Sequence, residues 1–148
     1  MASPPELHLS NQICLSLYSA TNALLRAYRS LLEPLGLTYP QYLVMLALWE
    51  EDDRSVTGIC QATRLETGTV TPVLKRLERK GLIERGRSEV DERMRVISLS
   101  REGALLARRA VDVPAALGCL GALTPRQGQQ LKQLAETLYG NLRDVESA

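Results

Sequence analysis

A mainly helical fold carrying one small β-hairpin follows from three features of this 148-residue sequence. Apolar residues recur at helical spacing through both ends of the chain. Two capping boxes mark helix starts in the first and last thirds. Between them, two short β-capable runs flank a polar tip, as the strands of a hairpin would. Composition agrees with a globular protein: 45% hydrophobic, 24% charged, only 4% aromatic and without Phe. The length suits a single domain, 1–148, with a real core.

The first helix is expected over residues 11–33, with Ser10 as N-cap and Pro34 as its stop. Its apolar positions form two stripes, Ile13, Leu17, Ala20, Leu24 and Leu31 beside Cys14, Tyr18, Leu25, Tyr28 and Leu32. Two stripes predict a helix buried on more than one side, as at a subunit interface. A second helix opens at a capping box, Thr38 with Gln41 and Pro40 in the first turn, and runs through "YLVMLALW" to about Glu50. After the acidic turn "EEDDRS" comes a short helix over 56–63. A longer one follows over 68–80, with Gly81 past its end. That longer helix turns Val70, Val73, Leu74 and Leu77 inward and leaves Thr69, Lys75, Arg76 and Arg79 outside. The hairpin is expected from residues 82–87 and 94–99 around "SEVDER". From Arg101 a helix with Leu105, Leu106, Ala110 and Val113 inward reaches Pro114. The second capping box, "TPRQ", starts a final helix whose Leu131, Leu134, Leu138, Leu142 and Val145 step by three and four.

Several function classes lose support at this stage. The longest apolar run is far below the ~20 residues a bilayer requires, and the N-terminus lacks a basic region followed by an apolar one. A cytoplasmic protein without a membrane role is expected. Cys14, Cys60 and Cys119 are odd in number and have no metal spacing, His8 is isolated, and no metal or cofactor is expected. Nothing resembles a phosphate loop or a Ser-His-Asp set, so no enzyme is expected. A thiol peroxidase, the enzymatic alternative, would need catalytic turnover.

Charge is unevenly spread. Residues 54–101 hold eleven Lys/Arg against six Asp/Glu, a surplus of five; the remainder has a deficit of four, giving the net charge of +1. A basic middle suits an anionic polymer, although a solvated charged surface reads the same way. Two helices, a tight turn and a basic hairpin are the order of a winged helix-turn-helix. The second helix can enter a major groove N-terminus first, where Thr67, Thr69 and Thr71 offer hydroxyls. Arg85, Arg87, Arg93 and Arg95 lie on the wing, and Asp91 and Arg93 can brace its tip. A helical protein–protein module is the competing reading.

The stretches "LLEPLGLTYPQYLVMLALWE" and "TGTVTPVLKRLERKGLIERGRSEVDERMRVISLSREG" resemble the MarR family of bacterial regulators, and within it the organic-hydroperoxide-sensing repressors called OhrR. The resemblance covers about residues 11–103. It implies a homodimer whose N- and C-terminal helices (11–37 and 101–148) interlock, and a DNA-binding lobe over 38–100. Each subunit would meet half of a pseudo-palindromic operator in double-stranded DNA. Thr67, Thr69, Thr71, Lys75, Arg76 and Arg79 would approach the major groove; Arg85, Arg87, Asp91 and Arg93 would form the wing.

The resemblance also assigns a role to Cys14, which occupies the place of the subfamily's reactive cysteine. A Cys on an apolar helical face is ordinarily a small inert hydrophobe. Here it lies in the first turns of its helix, where the dipole favours a thiolate, with Tyr18 at i+4. Tyr28 and Tyr39 match the subfamily's thiol-bonding tyrosines. Tyr28 is 14 residues beyond Cys14, roughly 21 Å along a straight helix, so it can serve only the thiol of the other subunit. Cys119 matches the resolving cysteine of the subfamily's two-cysteine type. Its setting, "ALGCLGAL" after Pro114, would permit movement. Cys60 is read as core filler. A repressor of the same fold released by a small aromatic ligand, with merely structural cysteines, is the alternative.

Overall fold

The computed structural model describes residues 2–121 and 123–147. The elements are α1 (Ile13–Leu32), α2 (Tyr39–Glu50), α3 (Val56–Thr63), α4 (Thr67–Arg79), β1 (Ile83–Arg87), β2 (Arg95–Leu99), α5 (Arg101–Ala110), α6 (Val113–Gly121) and α7 (Pro125–Glu146). The chain divides into two compact units, Met1–Val113 and Pro114–Ala148.

In the first unit α2 is the central rod. Its apolar residues point all round, as in a helix enclosed by others, and Tyr42, Val44, Met45, Ala47 and Leu48 are buried. The expected capping box starts it: Gln41 N–H donates to Thr38 Oγ1, and Thr38 N–H to Gln41 Oε1. Ile59 of α3, Val70, Val73, Leu74 and Leu77 of α4, Ile83 and Ile97 of the hairpin, and Leu106 of α5 complete the core. The strands pair antiparallel, with Ile83 opposite Leu99 and Arg87 opposite Arg95. Arg54 adds a single bridge to Ile97. Gly81 takes φ 73°, the left-handed conformation that lets α4 stop and β1 begin.

The structure corrects the sequence-based expectations in several places. Ser10 does not cap α1: the preceding segment coils into two 3₁₀ turns (Pro5–Leu7 and Leu9–Asn11), and Gln12 is the N-cap, without a side-chain capping bond. Asn11 and Gln12 side-chain amides instead donate to the Pro5 and Glu6 carbonyls, both at 2.7 Å. The two apolar stripes of α1 are not enclosed within the chain. Leu32 alone is buried, Tyr28 and Leu31 pack partly on the core, and Ile13 and Tyr18 are 71% and 70% exposed. On α5, Leu106 and Ala110 are buried but Leu105 is exposed. That helix stops at Ala110, and Pro114 sits in the first turn of α6, where its missing N–H has no helical partner to lose.

Within the second unit, α7 begins at the expected capping box of Thr124 and Gln127. None of its described residues is buried. Leu131, Leu134, Leu138, Leu142 and Val145 form an apolar stripe facing outward.

Candidate functional site

The candidate DNA-binding surface is built on α4 and the hairpin. Thr67 begins α4, one residue before the expected start, with Glu66 as N-cap. Thr67, Thr69, Lys75, Arg76 and Arg79 are exposed and Thr71 is half-buried, while the opposite face enters the core. Pro72 lies inside the helix and cannot donate to the carbonyl four residues back. That residue is Gly68, with open space around its backbone. Cys60 is half-buried on α3, its Sγ 3.8 Å from the Thr67 hydroxyl, so the residue read as core filler also touches the start of the reading helix.

The wing is anchored at both strands. Arg85 pairs with Glu78 of α4 at 3.1 Å, which commits it to bridging helix and hairpin. Arg87 and Arg93 remain exposed. Asp91 does brace the tip, through its carboxylate and the Arg93 backbone N–H at 3.0 Å. The turn "EEDDRS" clasps β2: Asp52 accepts from Leu99 N–H at 2.8 Å, Asp53 accepts from the Ser98 hydroxyl, and Arg54 exchanges backbone hydrogen bonds with Ile97. Arg54 Nη2 also lies 3.1 Å from Glu51. The sequence alone predicts only an acidic turn there. The run of four acids before Arg54 is the available signal for a polar clasp.

A second constellation lies where α1 meets α2. Tyr28 and Tyr39 ring centroids are 4.8 Å apart, Tyr28 and Tyr42 5.8 Å, and Tyr42 and Trp49 6.4 Å. Burial, reinforced by Tyr39 and Tyr42 nearby, pushes the Tyr28 phenol up to about 12, and burial raises Tyr39 as well. Both rings therefore keep their O–H at neutral pH. Beside Tyr39 opens a cleft of about 690 Å³ lined by Leu25, Arg29, Glu33, Gly36, Leu37, Thr38, Tyr39 and Pro40.

The structure thus brings Tyr28 and Tyr39 together and keeps Cys14 and Tyr18 apart from them, toward the other end of α1, both exposed. Cys119 lies on α6 and is exposed. All three cysteines are free thiols. Among the described residues no cluster of His, Cys, Asp or Glu could hold a metal ion, and no helix is long and apolar enough to cross a membrane.

A core-packed helix-turn-helix with an anchored basic wing defines a winged-helix transcriptional regulator. The family described as transcriptional regulator SarA/Rot matches residues 26–108. The chain is 45% identical to the organic hydroperoxide resistance transcriptional regulator of Bacillus subtilis, over 90% of its own length and 88% of that protein. It also superposes on the structure of reduced AbfR bound to DNA with a TM-score of 0.78 and 30% identity, covering 98% of this chain and 100% of that one. Against disulfide-formed AbfR the TM-score is 0.60 at 33% identity, covering 88% and 92%. AbfR is a protein of Staphylococcus epidermidis. The chain belongs to the MarR family of transcriptional regulators, in the organic-hydroperoxide-resistance branch. Its relatives are regulators rather than enzymes.

Proposed function

We propose that the protein is a redox-sensing transcriptional repressor that binds double-stranded operator DNA as a homodimer and leaves it when an organic hydroperoxide oxidises Cys14. The observation that carries this reading is the Tyr28–Tyr39 pair. Two protonated phenols lie together beside an open cleft, while the thiol of the same chain stands exposed roughly 21 Å along the same helix. In a dimer the partner's α1 brings its thiol to these hydroxyls, which donate to the thiolate. The apolar stripes on α1 and α7 supply the surface for that dimer.

The chemistry balances with peroxide as oxidant. Cys14 gives up its proton, the thiolate attacks the distal peroxide oxygen, and the O–O bond breaks; Cys14 becomes a sulfenic acid, and the alkoxide leaves as an alcohol by taking up one proton from solvent. The Cys119 thiol of the other subunit then attacks that sulfur. An S–S bond forms, the S–O bond breaks and water departs. Sulfurs must come to about 2 Å, so the helices carrying them shift and draw the two reading heads out of register with successive major grooves. The relation of AbfR to both reduced, DNA-bound and disulfide forms supports a thiol switch on this fold.

The test is titration with cumene hydroperoxide, followed by a non-reducing gel and peptide mass spectrometry. A covalent dimer joined through Cys14 and Cys119 is expected. A Cys14 that stays a free thiol would overturn the redox reading. The cleft, with Arg29 on its wall, favours one second reading: release by a small aromatic acid. Cys14→Ser separates the two. Under the redox reading the variant stays on DNA in peroxide; under the other it still lets go when the acid binds.

A further inference from the structure

We propose that Lys80 is a positioning residue that couples the tyrosine cleft to the DNA-reading helix. This coupling rests on the functional reading above, while its geometry is contained in a single chain. Lys80 is the C-cap of α4. Its ammonium crosses to the turn between α1 and α2, donating to the Gly36 carbonyl and, at 2.9 Å, to Gln41 Oε1. Gly36 holds a left-handed φ of 68°, and it lines the cleft together with Thr38 and Tyr39. Gln41 is 2% exposed, and the same Oε1 accepts from Thr38 N–H. One cation at the end of the reading helix therefore holds both residues that fix where Tyr39 begins its helix.

The other side of that turn is held as well. Arg109 of α5 donates from Nη2 to the Pro34 carbonyl at 2.7 Å. Three charge-assisted bonds, two from Lys80 beyond α4 and one from Arg109 of α5, thus straddle a turn whose own backbone bonds include Gly36 N–H to Glu33 and Leu37 N–H to Leu32. When Tyr39 moves to follow an oxidised thiol, the turn carries the Gly36 carbonyl and Gln41 with it. The Lys80 bonds then drag the C-terminal end of α4. The backbone of β1 starts at Ile83, so wing and helix are displaced together.

Coupling is reciprocal, so DNA on α4 must stiffen the turn. The experiment uses the full reduced chain and a duplex that the wild-type protein selects from random-sequence DNA. Hydrogen exchange of the Gly36, Leu37, Thr38, Tyr39 and Gln41 amides is measured with and without duplex. Wild type is expected to slow at least fivefold on binding; Lys80→Met is expected to lose that slowing, and Lys80→Arg to recover at least half of it. Absence of slowing in the wild type overturns the proposal without any variant. Retained slowing in Lys80→Met makes the residue a brace and also overturns it. A Lys80→Met salt slope lower by about one unit, with exchange unchanged, makes Lys80 a phosphate contact and overturns the coupling too. The redox arm follows. The cumene hydroperoxide dose that halves duplex binding is expected to rise at least fivefold in Lys80→Met, while the rate of Cys14 oxidation by mass spectrometry stays the same. If peroxide leaves wild-type binding unchanged although exchange responds, the redox reading fails and the coupling stands.

Discussion

The reading lobe and the terminal helices of this protein obey opposite rules. Between Thr38 and Ser100 nearly every apolar periodicity ends in the core: Leu74 and Leu77 of α4 and Ile59 of α3 are fully enclosed. In α7 a stripe of equal regularity encloses nothing, and Leu134 is 69% exposed. An exposed stripe that runs from Leu131 to Val145 is the kind of apolar surface that another chain can cover. The lobe folds for itself, and the ends leave apolar faces that the proposed dimer would cover.

The strongest way to break that contrast is to charge α7. Leu134→Asp with Leu138→Asp changes two residues that are not buried in the chain. The double variant is expected to sediment as a monomer and to lose at least a hundredfold in operator affinity, with the circular dichroism of the lobe largely kept. A dimeric variant that still binds DNA would show that the exposed stripe is not the subunit surface.

Cutting into the lobe has the reverse signature. Leu74→Ala is expected to cost about 2–5 kcal/mol in urea unfolding, since it opens a cavity where α4 meets the core. Gly103→Ala is next. A Cβ there would fall 2.0 Å from the Leu82 carbonyl oxygen, where α5 crosses the start of the hairpin. Relief requires backbone movement, at about 1–3 kcal/mol. Both losses are thermodynamic and appear in reduced protein without DNA. An unchanged unfolding midpoint for either would refute the packing described for the lobe.

The same contrast explains what could be read from the sequence. Thr38 and Gln41, Thr124 and Gln127, and the inward set Val70, Val73, Leu74 and Leu77 were legible because caps and periodicity are local signals. Ser10 misled because the side chains of Asn11 and Gln12 reach back to the Pro5 and Glu6 carbonyls and shift the helix start to Ile13. Leu105 misled for another reason, while the stripes of α1, expected at a subunit interface, stay largely uncovered within one chain. Periodicity shows that a face is apolar, not whether its cover comes from the same chain. At the site, Tyr28 and Tyr39 came into view through a family resemblance, while Lys80 did not. Its partners are 44 and 39 residues away, one of them a backbone carbonyl, and nothing in a sequence announces an acceptor that every residue carries.

The joint between the two regimes is Tyr28, on the helix that is mostly exposed but packed against the core ring of Tyr42. Its phenol is near 12 in the folded chain against 10 in the unfolded one, because burial disfavours the phenolate. The folded state thus holds a proton that the unfolded state releases between those values. The resulting stability is present in full below pH 10 and is lost as pH rises toward 12. Tyr28→Phe is expected to change the urea midpoint little at pH 7 and to flatten its decline between pH 10 and 12; Tyr39 and Tyr42, raised by the same burial, leave a residual slope. An alkaline decline as steep in Tyr28→Phe as in wild type would mean that Tyr28 is not held by the core. The phenol would then be too mobile to present a fixed O–H to a partner's thiolate, and the place where the dimer is expected to sense would have to be sought elsewhere.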